Sequence, residues 1–394
     1  MLRCSRGSAL GSFPWRRMLH SKSLRSVRRR AASRMRLAMI RHALQFLIPG
    51  DLQCASGGYV YDRRMIGALR ALGWEVTVHT LDASFPIPSR AALAHAHGVL
   101  DGLPEQALVI VDGLALGAMP EVLRAHHARL RLLALMHMPL AAEVGIAPAL
   151  ARRLRQSERQ ALQTVRHVIV TSRSSRQRLL EDGVARERVS VIEPGTDTVP
   201  LAPRRPDAVV KMLCVATINP GKGHDLLIAA LAPLAPLPWR LTCIGSLTRN
   251  PATAAQLRAQ LRRLHLYDRV TLAGEAEGAA LSRAFLSADL FVLPTRFESY
   301  GMAVAEALAY GLPVVSTYTG AIAELVGHEA GLLAPPGDRD ALHVALARVL
   351  REPSLLAELA CGAAAARARL PDWPQAAARL ERVLEQVQAR RGRG

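Results

Sequence analysis

The stretch LFVLPTRFESYGMAVAEALAYGLPVVS, residues 290–316, contains one whole unit of secondary structure. LFVLPT is a short apolar run of strand type. Residues 300–310 mix alanine, methionine, valine and leucine, a good helix-forming set. Gly311 and Pro313 follow in the order of a C-cap glycine and a residue that cannot continue a helix. LPVVS is then a second buried strand. Strand, tight turn, helix and strand make one unit of an alternating α/β fold. Glu298 falls in the turn at the C-terminal end of a strand, where open parallel sheets bind ligands. The amides near Gly301 point out of the helix N-terminus, an end that attracts phosphate.

Glu298 and Glu306 stand eight positions apart; Glu306 is about six residues into the helix and so lies roughly 9 Å further along its axis. The acid/base pair of a glycosidase faces one bond across about 5–9.5 Å. This pair can instead touch two ends of one long ligand, with a sugar at one end, a ribose at the other and a diphosphate over the helix N-terminus. From these residues alone a blander reading fits equally well: Glu298 caps the helix and Glu306 is a solvated charge.

The rest of the chain breaks the tie. Its 394 residues suit two domains of ordinary size. Half of them are apolar, enough for a core in each. No run reaches the eighteen or more apolar residues of a membrane-spanning helix. Cys4, Cys54, Cys214, Cys243 and Cys361 are scattered without a C-x-x-C pair. That pattern suits reduced thiols of a cytosolic protein and speaks against a zinc site.

The charge of +19 is uneven: twelve basic residues and no acidic ones precede Asp51, leaving +7 for the remainder. Residues 1–34 form a basic extension with no helix or strand pattern leading into the fold. A transit peptide is similarly rich in arginine and serine and poor in acids. Yet three lysines against 48 arginines, with abundant alanine, suggest a GC-rich bacterial genome. We therefore expect a mis-set start, with Met35 or Met39 as the true beginning. No aromatic-basic interleaving supports a nucleic-acid-binding tail, and no nucleic-acid partner is expected.

Order is expected from ALQFLIPG, residues 43–50, followed by SGGYVYDRRMIGALRALGWEVTVHTL. Gly57 and Gly58 open a helix that ends near Gly73, and EVTVHTL is the next strand. A glycine-rich turn in such a unit lets backbone approach a phosphate. The pattern is not G-x-G-x-x-G, so the dinucleotide fingerprint is absent. ALVIVDG, RLLALMHMPL with His137 at its end, HVIVTS and VSVIEPGTD continue the alternation. Residues 151–180 hold eight arginines and one glutamate, a solvated face that also suits an anionic acceptor or an anionic membrane surface.

VPLAPRRPDAVV, residues 199–210, reads as an interdomain linker. It divides a first domain, 35–200, from a second, 211–370, with a helix in 371–394 crossing back to the first. Two α/β domains so joined leave a cleft for ligands. The second opens with VKMLCVATINPGKGHDLLIAALAPL, a strand, a glycine-rich turn and a helix. Lys222 sits just inside that turn, where a compact ammonium suits phosphate oxygens.

Together these residues resemble the retaining glycosyltransferases of family 4, whose GT-B fold sets two doubly wound, Rossmann-like domains across a cleft. Glu298 and Glu306 match the E-x7-E motif, and ATINPGKGHDLLIAAL matches the strand–turn–lysine–helix element. GLPVVSTYTGAIAELV with GLLAPPGD matches the donor-domain elements that follow, and SGGYVYDRRM with MHMPL matches the acceptor-domain glycine loop and histidine. The likeness runs from about Leu44 to Leu350 and outweighs the capping reading.

The resemblance implies a role for each residue. Glu298 sits beside the transferred sugar, with the amides of Tyr300, Gly301 and Met302 holding sugar hydroxyls and phosphate. Glu306 accepts hydrogen bonds from the ribose. Lys222 neutralises the departing diphosphate, Gly57 and Gly58 let the first domain close on it, and His137 approaches the donor sugar from the acceptor side. The base lies near Glu275. Where many family members carry an arginine this chain has Thr217, which offers a hydrogen bond but no charge; Arg249 or Arg296 could replace it.

The implied reaction moves a sugar from a UDP- or GDP-sugar to a hydroxyl of a glycan or glycolipid, with retention, in cell-surface glycan, lipopolysaccharide or exopolysaccharide synthesis. No cofactor is expected, and no metal, since the family the chain resembles needs none for departure of the diphosphate. The location implied is cytoplasmic, with peripheral contact at the inner face of the plasma membrane. A nucleotide-sugar epimerase or a non-catalytic sugar-nucleotide binding protein of the same fold is the alternative.

Overall fold

The structure is a computed structural model that describes residues 42–203 and 208–389. The basic extension 1–34, the candidate starts Met35 and Met39, and linker residues 204–207 lie outside the described residues. Twelve strands alternate with helices. In the first half they are β1 (Ala43–Pro49), β2 (Glu75–Leu81), β3 (Leu108–Asp112), β4 (Arg131–Met136), β5 (His167–Val170) and β6 (Val189–Val191). The second half has β7 (Val210–Val215), β8 (Trp239–Ile244), β9 (Val270–Gly274), β10 (Leu290–Leu293), β11 (Val314–Thr317) and β12 (Gly331–Ala334).

Every pairing within both sheets is parallel. Parallel strands need helical crossovers, so both faces of each sheet are covered and the strands read as nearly continuous apolar runs. LVIVD of β3 is buried at all five positions. Alternate residues then supply two cores. Leu47, Val109, Val111, Leu132 and Ala134 pack on one face of the first sheet. Phe46, Ile48, Ile110, Leu133 and Leu135 pack on the other, as the period of two requires.

The strand orders are β2-β1-β3-β4-β5-β6 and β12-β11-β10-β7-β8-β9. Each sheet winds outward in both directions from one place, between β1 and β3 in the first and between β7 and β10 in the second. Crevices open there at the carboxyl ends of the strands, the place where open α/β sheets in general hold their ligands.

The described residues from Ala43 onward form one compact unit, and several contacts tie its halves together. The helix Trp373–Ala389 lies on the helix Gly57–Ala71 of the first half, burying Trp373, Leu380, Val383 and Leu384 in the same core as Phe46 and Tyr61. In the linker, the Ala202 amide donates to the Tyr310 carbonyl at 2.8 Å. The helix carrying Glu306 is Met302–Ala309, two residues later at its start than its composition suggests. Gly301 takes φ of 97° there, a left-handed conformation that no helical residue shares.

Candidate active site

The turn after β7 is built on the end of β10. Asn219 accepts from the Lys222 amide at 3.1 Å, and Gly223 follows with φ of 70°. A Cβ at Gly223 would stand 2.0 Å from the Pro294 carbonyl oxygen, so only glycine allows the turn to lie so close. The Arg296 amide and the Thr295 hydroxyl both donate to the Gly221 carbonyl, at 2.7 and 3.0 Å. This clamp brings Lys222 Nζ to 2.7 Å from Glu298 Oε2. The loop after β11 supports the same place: the Thr319 hydroxyl accepts from the Glu298 amide at 3.2 Å. A Cβ at Gly320 would meet the Glu298 carbonyl at 2.1 Å.

Glu306 lies in the second turn of the helix Met302–Ala309, half-buried and without an ion pair among the described residues. Burial pushes its carboxyl up to about 7; Asp197 adds to the rise and Arg64 opposes it. Those two are themselves bonded to each other. Tyr300 turns its ring into a small cluster with Ala305 and Ala321, leaving only its backbone for a ligand. Glu275 is exposed just past the end of β9.

The first half brings its own groups to the crevice. Gly57 and Gly58 begin the helix Gly57–Ala71, and a Cβ on Gly58 would stand 3.1 Å from the His137 ring. Four residues on, and so on the same helix face, Asp62 accepts from His137 Nε2 at 2.9 Å. Asp112, closing β3, has its other carboxylate oxygen 3.5 Å from the same nitrogen. Both acids are buried, and Asp62 Oδ2 has no hydrogen-bond partner among the described residues.

Burial alone would lower the His137 pKa, but the charge and hydrogen bond of Asp62, and then Asp112, raise it overall. Burial, reinforced by Asp62, pushes Asp112 up to about 7. The residue reading named His137 and missed both acids. Asp112 is legible in hindsight as a carboxylate ending an otherwise apolar strand; Asp62 is not, because only the helix face relates it to Gly58.

The halves meet around these loops. A Cβ on Gly57 would lie 3.6 Å from Met302 Sδ, which puts the glycine loop against the start of the Glu306 helix. Arg249, exposed on the loop after β8, reaches across to donate to Cys54 Sγ at 2.6 Å and has no carboxylate partner among the described residues. Arg296 is committed instead, forming a two-pronged bond with Asp225 at 2.9 and 2.8 Å. Of the two arginines weighed as stand-ins for a cation at Thr217, only Arg249 keeps its charge uncompensated beside the glycine loop.

Among the described residues two clusters offer metal ligands, each with atoms within 4.8 Å of one another: Asp62, Asp112 and His137, and the buried Cys214, His224 and Cys243. The two cysteines are direct partners across β7 and β8, a pairing invisible in their spacing. Each cluster supplies three ligands, one short of a closed tetrahedral zinc site.

Two family models match the two halves: "Glycosyltransferase Family 4" over residues 55–199 and "Glycosyl transferases group 1" over residues 210–352. A D-inositol 3-phosphate glycosyltransferase of Xylanimonas cellulosilytica is 30% identical over 226 residues, 53% of this chain and 54% of that protein. The chain thus spans about half the length of that relative. An MMP α-(1→4)-mannosyltransferase of Mycolicibacterium hassiacum is 27% identical over 332 residues, 80% of this chain and 79% of its own. The solved sucrose-phosphate synthase of Thermosynechococcus elongatus superposes with a TM-score of 0.75 at 22% identity, covering 89% of this chain and all of that one, a likeness of fold. With two parallel sheets wound about facing crevices and both halves matched by their own models, the chain belongs to the family 4 glycosyltransferases of GT-B fold.

Proposed function

We propose that the chain transfers a hexose from a nucleoside diphosphate sugar to a hydroxyl acceptor with retention of configuration. The observation that carries this is the pair of Lys222 and Glu298 at 2.7 Å, set at a sheet switch point just before the helix that bears Glu306. A lone carboxylate there would repel a diphosphate; one already balanced by an ammonium leaves room for a second anion. As the bond from sugar to phosphate lengthens, negative charge grows on the diphosphate and positive charge on the anomeric carbon. Lys222, Arg249 and the amides at the helix N-terminus stabilise the first, and Glu298 the second.

A leaving phosphate oxygen takes the acceptor proton on the face it vacates, which retains the configuration. Glu306 accepts from the ribose, and the amides of Gly301 and Met302 serve sugar and phosphate. His137, held in one orientation by Asp62 and Asp112, borders the sugar. Protein cations and amides carry the diphosphate charge in this reading, without a metal. UDP and GDP are the candidate carriers and a glycan or glycolipid is the acceptor, reached from the cytoplasmic face of a membrane. No helix among the described residues is long and apolar enough to cross a membrane.

Incubation with labelled UDP- and GDP-sugars tests the proposal. Transfer, or slow donor hydrolysis without acceptor, is the expected result. Epimerised donor, or binding without turnover, would replace the reading with that of an epimerase or a sensor.

A further inference from the structure

We propose that an arginine-lined cavity of the first half binds the phosphate of a phosphorylated acceptor, an assignment that rests on the glycosyltransferase reading of the neighbouring site. The cavity has a volume of about 380 Å3, within the range of roughly 300–1,000 Å3 for small-molecule sites. The arginine-rich stretch noted in the sequence builds it. Arg152, Arg155 and Arg159 recur at i, i+3 and i+7 on the helix Pro148–Thr164, hence on one face. All three line the cavity, and Arg178 joins them from the helix Arg173–Glu181. Like charges at such spacings destabilise a helix, yet none of the three forms an ion pair among the described residues.

Two carboxylates share the lining, Glu158 and Asp182. Glu158 is buried, accepts from the Leu140 amide at 3.2 Å, and is pushed by burial up to about 7. It therefore offsets the arginines only weakly. A fifth lining arginine, Arg188, donates to the Leu162 and Val165 carbonyls, and the other four guanidiniums of this concave wall focus positive potential. One carboxylate would occupy one guanidinium fork, whereas a phosphate dianion can engage several at once. A neutral glycan hydroxyl would need none of them.

Position joins this cavity to the site. Met136 and Met138, the two neighbours of His137, form part of its lining. The Arg178 guanidinium lies 4.9 Å over the ring of Phe297, the residue before Glu298. A phosphate anchored on the arginines would leave the body of the acceptor over the apolar lining beside His137 and Glu298. The phosphate can come from a soluble sugar phosphate or from a lipid headgroup.

Calorimetry on the full chain, with UDP or GDP added first to fill the donor site, separates these sources. The probes are inorganic phosphate, a hexose 6-phosphate and the free hexose, with flotation on phosphatidylcholine vesicles with or without phosphatidylinositol. Circular dichroism establishes that the Arg152→Ala/Arg155→Ala/Arg159→Ala variant is folded, and Arg155→Glu alone serves if it is not.

Phosphate-bearing probes are expected to bind, the free hexose not, and the variant to weaken binding by at least about tenfold. Loss confined to the hexose phosphate assigns a soluble acceptor; loss confined to the phosphatidylinositol vesicles assigns a lipid headgroup. Equal binding by wild type and variant, vesicle capture that persists in the variant, or binding of nucleotide with no phosphate probe would each overturn the assignment. Failure of UDP and GDP themselves to bind the wild type would instead overturn the glycosyltransferase reading.

Discussion

At the residue scale, the most exposed test is the pair of Lys222 and Glu298. Replacing Lys222 with alanine removes the ammonium 2.7 Å from Glu298 Oε2, so an arriving diphosphate meets an unbalanced carboxylate. Losing one partner of a desolvated charge pair costs roughly 2–5 kcal/mol. Transfer is expected to fall by at least about a hundredfold with the melting temperature held; near-normal turnover would make Lys222 an ordinary surface charge.

The two glutamates are expected to separate in calorimetry with free nucleoside diphosphate. Glu306→Ala weakens binding by about 1.5–3 kcal/mol, the worth of hydrogen bonds to a charged group. Glu298→Ala leaves nucleotide affinity nearly unchanged and lowers transfer. Proton linkage adds a sign. With its pKa pushed up to about 7, Glu306 gives up a proton when ribose hydroxyls favour its carboxylate. Wild-type affinity should therefore rise with pH through about 7 more steeply than that of Glu306→Gln, and parallel pH profiles would remove Glu306 from the ribose.

At the element scale, glycines decide which loops can approach. Gly223 combines φ of +70° with a virtual Cβ 2.0 Å from the Pro294 carbonyl, and backbone cannot yield cheaply. Gly223→Ala is expected to lower the melting temperature and abolish transfer together. Gly58 differs, because its virtual Cβ meets a side chain, the His137 ring, at 3.1 Å. Gly58→Ala should melt near wild type but transfer poorly, since the ring must move; equal losses of stability in both variants would remove that distinction. Glycine-rich turns could be seen in the sequence, but which of them press on backbone and which on a side chain could not.

At the scale of the whole molecule, the last helix completes the first core. Ending the chain at Asp372 would strip Trp373, Leu380, Val383, Leu384 and Val387 from their burial. At about 1.5–3 kcal/mol for each large side chain, roughly 7–15 kcal/mol is lost, comparable with the whole net stability of a domain. Such a chain should aggregate or fail to show a cooperative melt, and a normal melt would disprove the dependence.

Proton binding acts at the same scale. Burial pushes Asp112, Glu158 and Glu306 each up to about 7, well above the usual carboxylate range. The His137 pKa is raised as well. All four hold more protons folded than unfolded in that window. Their stabilisation is complete below the unfolded pKa values and is lost as pH rises through the folded ones. Burial lowers His79 and His126, and Cys214 is lowered to about 5 beside Cys243 and His224, so these act in the opposite sense. The raised groups are therefore tested singly. The melting temperature of Glu158→Gln relative to wild type should rise between about pH 5 and 8, whereas a constant difference would contradict the shift.

The sequence alone determined the α/β alternation, the two halves, the placing of Glu298, Lys222 and His137 in the turns after strands, and that of Gly57, Gly58 and Glu306 in the helices that follow. Each of these follows from local patterning: apolar runs, glycine turns and cap signals act over a few residues. Tertiary structure alone decided who meets whom. Asp62 and Asp112 reach His137, Cys214 faces Cys243, Arg296 is spent on Asp225, and Arg249 crosses to Cys54, although their positions in the chain carry no mark of it. Strand order and helix rotation set those distances, and both come from packing two cores at once rather than from any single stretch of residues.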